Sequence, residues 1–183
     1  MAEKLIGIVE EQFPDAVLDS HSRHGNDTVV VDKSSVPDVV EFLKENSETD
    51  IDFLRNISCV DYHQRVPRFE VVYILYSMDK KHMLLVRTPV EEDDCTVPTI
   101  GHLFACARWI EREVYDMYGI EFEGHSDMRR VLLYEEFEGY PLRKDYPKQK
   151  GQPRTEFLAR ERDSVEEFEV FVKGTPAAGS RED

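Results

Sequence analysis

Two cysteine–histidine pairs have residue types and spacing that could do chemistry. Cys59-x-x-x-His63 and His102-x-x-x-Cys106 would supply four ligands, enough for a tetrahedral zinc site if the pairs met. The second pair is spaced i, i+4, so a helix would place both members on one face. The competing reading is a core cysteine beside an apolar stripe and a histidine at the solvent edge. That reading is favoured, because no Cys-x-x-Cys pair exists. A cysteine nucleophile activated by histidine is the other chemistry these types allow. No nucleophile turn surrounds Cys59, Cys95 or Cys106, and Cys59 has the apolar flanks of a small core residue. There is no Gly-x-Gly-x-x-Gly and no Gly-Lys-Ser/Thr, so nucleotide binding within the chain has no loop to carry it.

Charge clusters in two further stretches. The first is Glu111-Arg112-Glu113-Val114-Tyr115-Asp116-Met117-Tyr118-Gly119. On a helix, Arg112 and Asp116 are i, i+4 and would pair. Acids near a helix C-terminus oppose its dipole, so these charges need partners inside the chain or on a neighbour. The second stretch spans residues 125–154, from His125 and Arg129-Arg130 through Tyr140, Arg143, Lys144 and Asp145. Arginine and tyrosine are anchor types at protein interfaces, and the guanidinium fork pairs bidentately with carboxylates.

These groups need elements to position them. Leu5, Ile8, Val9 and Phe13 have helical spacing and end at Pro14; short strands are expected over 16–20 and 28–32. Ser35 is placed to cap a helix with Pro37 in its first turn and Val36, Val39, Val40 and Leu43 as its stripe. Strands follow at 53–61, 69–77 and 83–88, the last two as a hairpin. Residues 100–118 read as the longest helix, with Ile100, Leu103, Phe104, Ala107, Ile110, Val114 and Met117 inward and Gly119 just past its end. Helices grouped against a mostly antiparallel or mixed sheet make a two-layer α+β domain, with an extended C-terminal tail. The expected division is 1–124 as the α+β core and 125–183 as a partner-docking segment and tail.

Composition narrows the function. The chain has 183 residues and a net charge of −15, enough for one domain and a tail. Such acidity disfavours nucleic acid and anionic lipid as direct partners. The longest apolar run, 71–76, is far short of the ~18 residues that span a bilayer. Neither a signal peptide nor a transit peptide is read at the N-terminus. Three widely spaced cysteines suit reduced thiols in a cytosolic compartment. Against the acidic background, residues 129–154 hold seven basic and four acidic residues.

Glu111-Arg112-Glu113-x-x-Asp116-Met117-Tyr118, then His125-x-x-x-Arg129-Arg130, then Gly139-Tyr140-Pro141-Leu142-Arg143-Lys144-Asp145-Tyr146-Pro147 closely resembles the signature of the 30 kDa subunit family of respiratory complex I, the bacterial proton-pumping NADH–quinone oxidoreductase. The motif covers about forty residues; the rest of the chain agrees only in element order and length. Ser126-Asp127-Met128 stands where Pro-Asp-Leu is expected, a mild departure.

The resemblance implies a non-catalytic scaffold in the hydrophilic arm, without flavin, iron–sulfur cluster, metal or quinone of its own. FMN and iron–sulfur clusters are then expected in partner subunits. The implied partners are the large quinone-site (49 kDa-type) subunit and the terminal-cluster subunit. The location would be peripheral, on the cytoplasmic side of a bacterial inner membrane, attached only through the complex. For Glu111, Arg112, Glu113, Asp116, Tyr118, His125, Arg129, Arg130, Tyr140, Arg143, Lys144 and Asp145 it implies intrachain pairing and docking. An equivalent subunit of a membrane-bound hydrogenase or other quinone- or ferredoxin-linked complex is the alternative; a stand-alone zinc protein using Cys59, His63, His102 and Cys106 is the second.

Overall fold

Alternation of apolar and polar residues builds the centre of the molecule. The computed structural model describes residues 2–152; the tail expected beyond them lies outside the described residues. Helix α1 (Ala2–Gln12) is followed by strands β1 (Val17–Arg23) and β2 (Asn26–Val31), helix α2 (Val36–Glu45), then β3 (Phe53–Asp61), β4 (Phe69–Ser77) and β5 (His82–Val90). After these come β6 (Thr96–Pro98), helix α3 (Ala107–Tyr118) and β7 (Glu121–Glu123). β1 to β5 form one sheet in the order β1-β2-β5-β4-β3, antiparallel except where β2 runs parallel to β5. β6 and β7 make a separate parallel pair.

Phe69, Val71, Tyr73 and Leu75 on β4 are fully buried and pair across to β5 through Val90, Thr88, Val86 and Leu84. Side chains alternate between the faces of a strand, so this set lines one face. The buried faces of all three helices join that face in a single apolar cluster, which makes the domain the expected two-layer α+β. Val36, Val39, Val40 and Leu43 are each fully buried, worth roughly 1.5–3 kcal/mol apiece for the larger ones.

Several local expectations are corrected. Ser35 makes no side-chain cap; Asp32 instead accepts from Ser34 at a single 3-10 turn, Lys33–Ser35, that leads into α2. The hairpin strand runs longer than 83–88, over His82–Val90. β6 and β7, three residues each, give no periodic signal. The largest difference is at 100–106, which is turned rather than α-helical, so α3 begins at Ala107. Ile100, Phe104 and Ala107 still face the core, because tight turns closed by Phe104 N–H on Ile100 and Ala107 N–H on Phe104 keep the 4-then-3 spacing. His102 and Cys106 therefore do not share a helix face. Cys106 is exposed while Cys59 is buried. Among the described residues no three His, Cys, Asp or Glu side chains converge as metal ligands.

The compact unit does not stop at residue 124. It takes in the chain up to Glu135 and also Gly139–Lys148. Among the described residues, Glu136–Glu138 belongs to a second unit with 149–152, within which Glu138 N–H donates to Gln152 Oε1 at 2.9 Å.

Candidate functional site

α3 sets out two buried carboxylate acceptors and β3 a third, and the strap formed by residues 125–135 and 139–148 runs past them. The helix ends because Gly119 takes φ 75°, a left-handed conformation that costs a glycine little. The same glycine makes room: a Cβ there would sit 2.5 Å from the Tyr140 ring.

Asp116, on the last turn, is fully buried. Its Oδ2 accepts the backbone N–H groups of Val131, Leu132 and Leu133 at 3.1, 2.8 and 2.9 Å. Its Oδ1 accepts from Arg130 Nη1 at 2.6 Å. Successive N–H groups converging on one oxygen form an anion nest. Burial would push this carboxyl up, but the Leu133 N–H, Arg130 and the Leu132 and Val131 N–H groups outweigh it and hold the pKa below the ordinary value. Arg112 is not the partner of Asp116. Its guanidinium donates to the carbonyls of Arg129 and Arg130 at 2.9 and 3.1 Å, with Asp127 3.9 Å away.

Glu111, one turn earlier, is equally buried. It accepts from the Thr99 hydroxyl at 2.6 Å and the Ile100 N–H at 2.8 Å. Those bonds hold the 99–100 turn out of the helix. Here burial wins, raising the pKa against the opposing bonds and the pull of His125 and His102. His125 Nε2 lies 3.9 Å from Glu111 Oε2. The Asp127 N–H points at His125 Nδ1 at 3.0 Å, so the proton is assigned to Nε2, which donates to the Arg108 carbonyl at 2.9 Å. Both ring nitrogens are thus engaged within the chain.

The third anchor joins the strap to the sheet. Buried Asp61, the last residue of β3, binds buried Arg68 through both oxygens at 3.0 and 2.9 Å. Asp61 also accepts the Lys144 N–H at 2.8 Å and the His63 N–H at 2.7 Å. Arg68 reaches on to Asp145 at 2.8 Å and to Glu92. Burial acts to raise the Asp61 pKa, and Arg68 with the two N–H groups drives it well below the usual range. Next to this knot Arg143 donates to the Tyr118 carbonyl at 2.6 Å and lies over both Phe69 and Tyr140, 5.0 and 4.8 Å from their centroids. Stacked guanidinium contacts of this kind add roughly 0.5–2 kcal/mol each. Tyr140 meets Tyr115 edge-on at 6.2 Å.

The motif residues thus divide. Glu111, Arg112, Asp116, His125, Arg130, Tyr140, Arg143 and Asp145 come together along α3 and the strap. Tyr118 joins through its carbonyl and Lys144 through its N–H. Glu113 is exposed, and Arg129, adjacent to inward-facing Arg130, turns outward onto Asp127 at 2.6 Å. Sequence reading misses Asp61, Arg68, Glu92 and Thr99, which belong to no local pattern and meet the motif only through the fold. Cys59, named for metal or nucleophile chemistry, has its thiol pushed up to about 12 by burial, so it is neutral at pH 7 and not a thiolate.

A polar strap latched to a small α+β sandwich by buried carboxylates defines a class, and the comparisons give its family. The model for "Respiratory-chain NADH dehydrogenase, 30 Kd subunit" matches residues 29–152. The chain belongs to that family. It is 43% identical over 145 residues to the NADH-quinone oxidoreductase C subunit of Dinoroseobacter shibae (strain DSM 16493 / NCIMB 14021 / DFL 12), covering 79% of this chain and 67% of that one. It is 38% identical over 162 residues to the equivalent subunit of Geotalea uraniireducens (strain Rf4), covering 87% and 97%. Its fold matches a solved trypsin-resistant fragment (1-134) of Nqo5 with TM-score 0.60 and 30% identity, over 68% of this chain and 97% of the fragment.

Proposed function

We propose that this chain is a non-catalytic scaffold subunit in the hydrophilic arm of an NADH–quinone oxidoreductase. The assembled enzyme would carry electrons from NADH through FMN and iron–sulfur clusters to quinone and translocate protons. This chain would bring no cofactor of its own and would hold neighbouring subunits in place, chiefly the large quinone-site subunit and the terminal-cluster subunit. No helix among the described residues is long and apolar enough to cross a membrane, so attachment to the cytoplasmic side of the inner membrane would run through those partners.

One observation carries the reading. Most of the charged motif shared with the family is engaged inside the chain: Glu111 and Asp116 bind donors from a second segment, and Asp61, outside the motif, takes the N–H of its Lys144. Such saturation fixes a shape and leaves those groups engaged. The relatives named as parts of an NADH-quinone oxidoreductase support the assembly.

The test is gentle purification of the tagged full chain from membranes. The expected result is a co-purifying assembly with FMN, iron–sulfur clusters and NADH-dependent quinone reduction. Recovery of the chain alone would overturn the proposal. An assembly lacking an NADH-oxidising flavoprotein would move the chain to a hydrogenase-type or ferredoxin-linked complex.

A further inference from the structure

The largest exposed apolar side chain is Trp109, 63% exposed in the first half of α3. A covered tryptophan buries some 150–250 Å², so leaving this one in solvent forgoes a large apolar gain. The ring is nevertheless held in place. Its face lies 5.0 Å from the Arg112 guanidinium, and Arg112 is only 13% exposed and tied to two strap carbonyls. Leu132, also 63% exposed, is fixed in the same way, because its N–H is one of the three on Asp116. Leu132 is thus tied to the last turn of α3, while Trp109 stands in its first turn. Both side chains stand exposed on anchored backbone.

The charged neighbours of Trp109 along α3 are of both signs: Arg108 beside it, Arg112 under its ring and the exposed Glu113 one turn on. Arg108 is exposed, and its Nε donates to the Gly101 carbonyl at 3.1 Å, a bond that does not use its outer nitrogens. Beside it lies a hollow of about 110 Å³, lined in part by His102, Ser126 and Arg108. Gly101 keeps it open, since a Cβ there would meet Arg108 Cγ at 2.8 Å. That volume suits a carboxylate head. A rigid aromatic anchor with an arginine at its rim is the arrangement that dominates binding energy at protein interfaces, and preorganisation lowers the entropic cost of docking.

We infer that the outward face of α3 is a docking surface for a neighbouring subunit that offers an apolar pocket to Trp109 and a carboxylate side chain to Arg108. This deepens the scaffold reading and rests on it. It also moves the contact away from Glu111, Arg112, Asp116 and Arg130, which are engaged internally, to residues outside that motif.

The experiment uses the tagged full chain expressed in its own membranes as wild type, Trp109→Ala, Arg108→Glu and Arg108→Lys. Trp109→Ala and Arg108→Glu should each lower the co-purifying assembly per mole of bait by about tenfold or more, and Arg108→Lys should keep most of it. The thermal midpoint of each purified full-length variant should stay close to wild type, since each side chain is exposed and gives up a single surface contact. Trp109 is the chain's single tryptophan, so acrylamide quenching of the isolated chain reads its exposure and should be strong. Full recovery with both variants, while wild type brings down the assembly, would overturn the inference and leave the scaffold reading intact. A fall in recovery that tracks a fall in thermal midpoint, or a protected indole in the isolated chain, would also overturn it. Wild type recovered alone would end the scaffold reading and this inference together.

Discussion

Glu111 and Asp116 sit on the same helix, five residues apart, and both side chains are fully buried. Their acidities move in opposite directions. Glu111 faces one hydroxyl and one N–H, and burial prevails. Asp116 faces three N–H groups and a guanidinium, and the donors prevail. The comparison teaches that depth alone does not decide the state of a buried acid; the number and charge of its donors do. It also separates two tasks. The Glu111 end pins a turn that precedes α3, while the Asp116 end pins a segment that follows it.

The largest expected effect breaks the stronger end. Asp116→Ala would leave Arg130 and three backbone N–H groups facing an empty space. Losing one side of a buried ionic cluster costs about 3–5 kcal/mol. Urea unfolding of the full chain should show a loss of that size. A loss under about 1 kcal/mol would mean that water replaces the carboxylate and the nest does not anchor the strap.

Gly119→Ala sharpens the same end from outside the carboxylate. An alanine at φ 75° costs about 1–2 kcal/mol, and overpacking against Tyr140 adds about 1–3. The double variant with Tyr140→Ala should cost less than the sum of the two singles, because the clash is then absent. Strict additivity would show that Tyr140 is not seated against Gly119.

How much of this is legible in the sequence follows from the kind of interaction. The apolar stripe of α2 and the strands at 53–61 and 69–77 are readable because burial repeats with the period of the element. The start of α3 misleads because Ile100, Phe104 and Ala107 keep helical spacing through turns, and Glu111, which takes the Ile100 N–H, gives no local sign of doing so. The motif marks Asp116 and Arg130 as important but does not say that they bind each other; the i, i+4 rule points to Arg112 instead. Asp61 and Arg68 are invisible, since the bonds of Asp61 to Lys144 and of Arg68 to Asp145 each span more than seventy residues. Long-range polar pairing has no period. Trp109 falls outside the inward stripe of the helix, but the period does not tell a solvent-facing tryptophan from one covered by another segment.

The smallest effect bears most directly on the comparison. Glu111→Gln keeps an acceptor for the Ile100 N–H and a donor for the Thr99 oxygen, so at neutral pH it should shift stability by about 1 kcal/mol or less. Its signature is in the pH dependence. Asp116, with a lowered folded pKa, contributes stability that is present above the unfolded value near 3.9 and lost as pH falls through the folded one. Glu111 has a raised folded pKa, so its contribution is fully present below the unfolded value near 4.3 and is lost as pH rises through the folded one. On acidification the two therefore oppose each other. Urea midpoints measured from pH 7 down toward 3 should fall more steeply than wild type in Glu111→Gln, which removes the opposing contribution. They should fall less steeply in Asp116→Asn, referred to that variant's own pH 7 value. Glu111→Gln also removes the carboxylate that His102 and His125 face, whereas Asp116→Asn leaves it in place. Parallel profiles for the two variants would show that both carboxylates titrate alike, and that donor number does not set them apart.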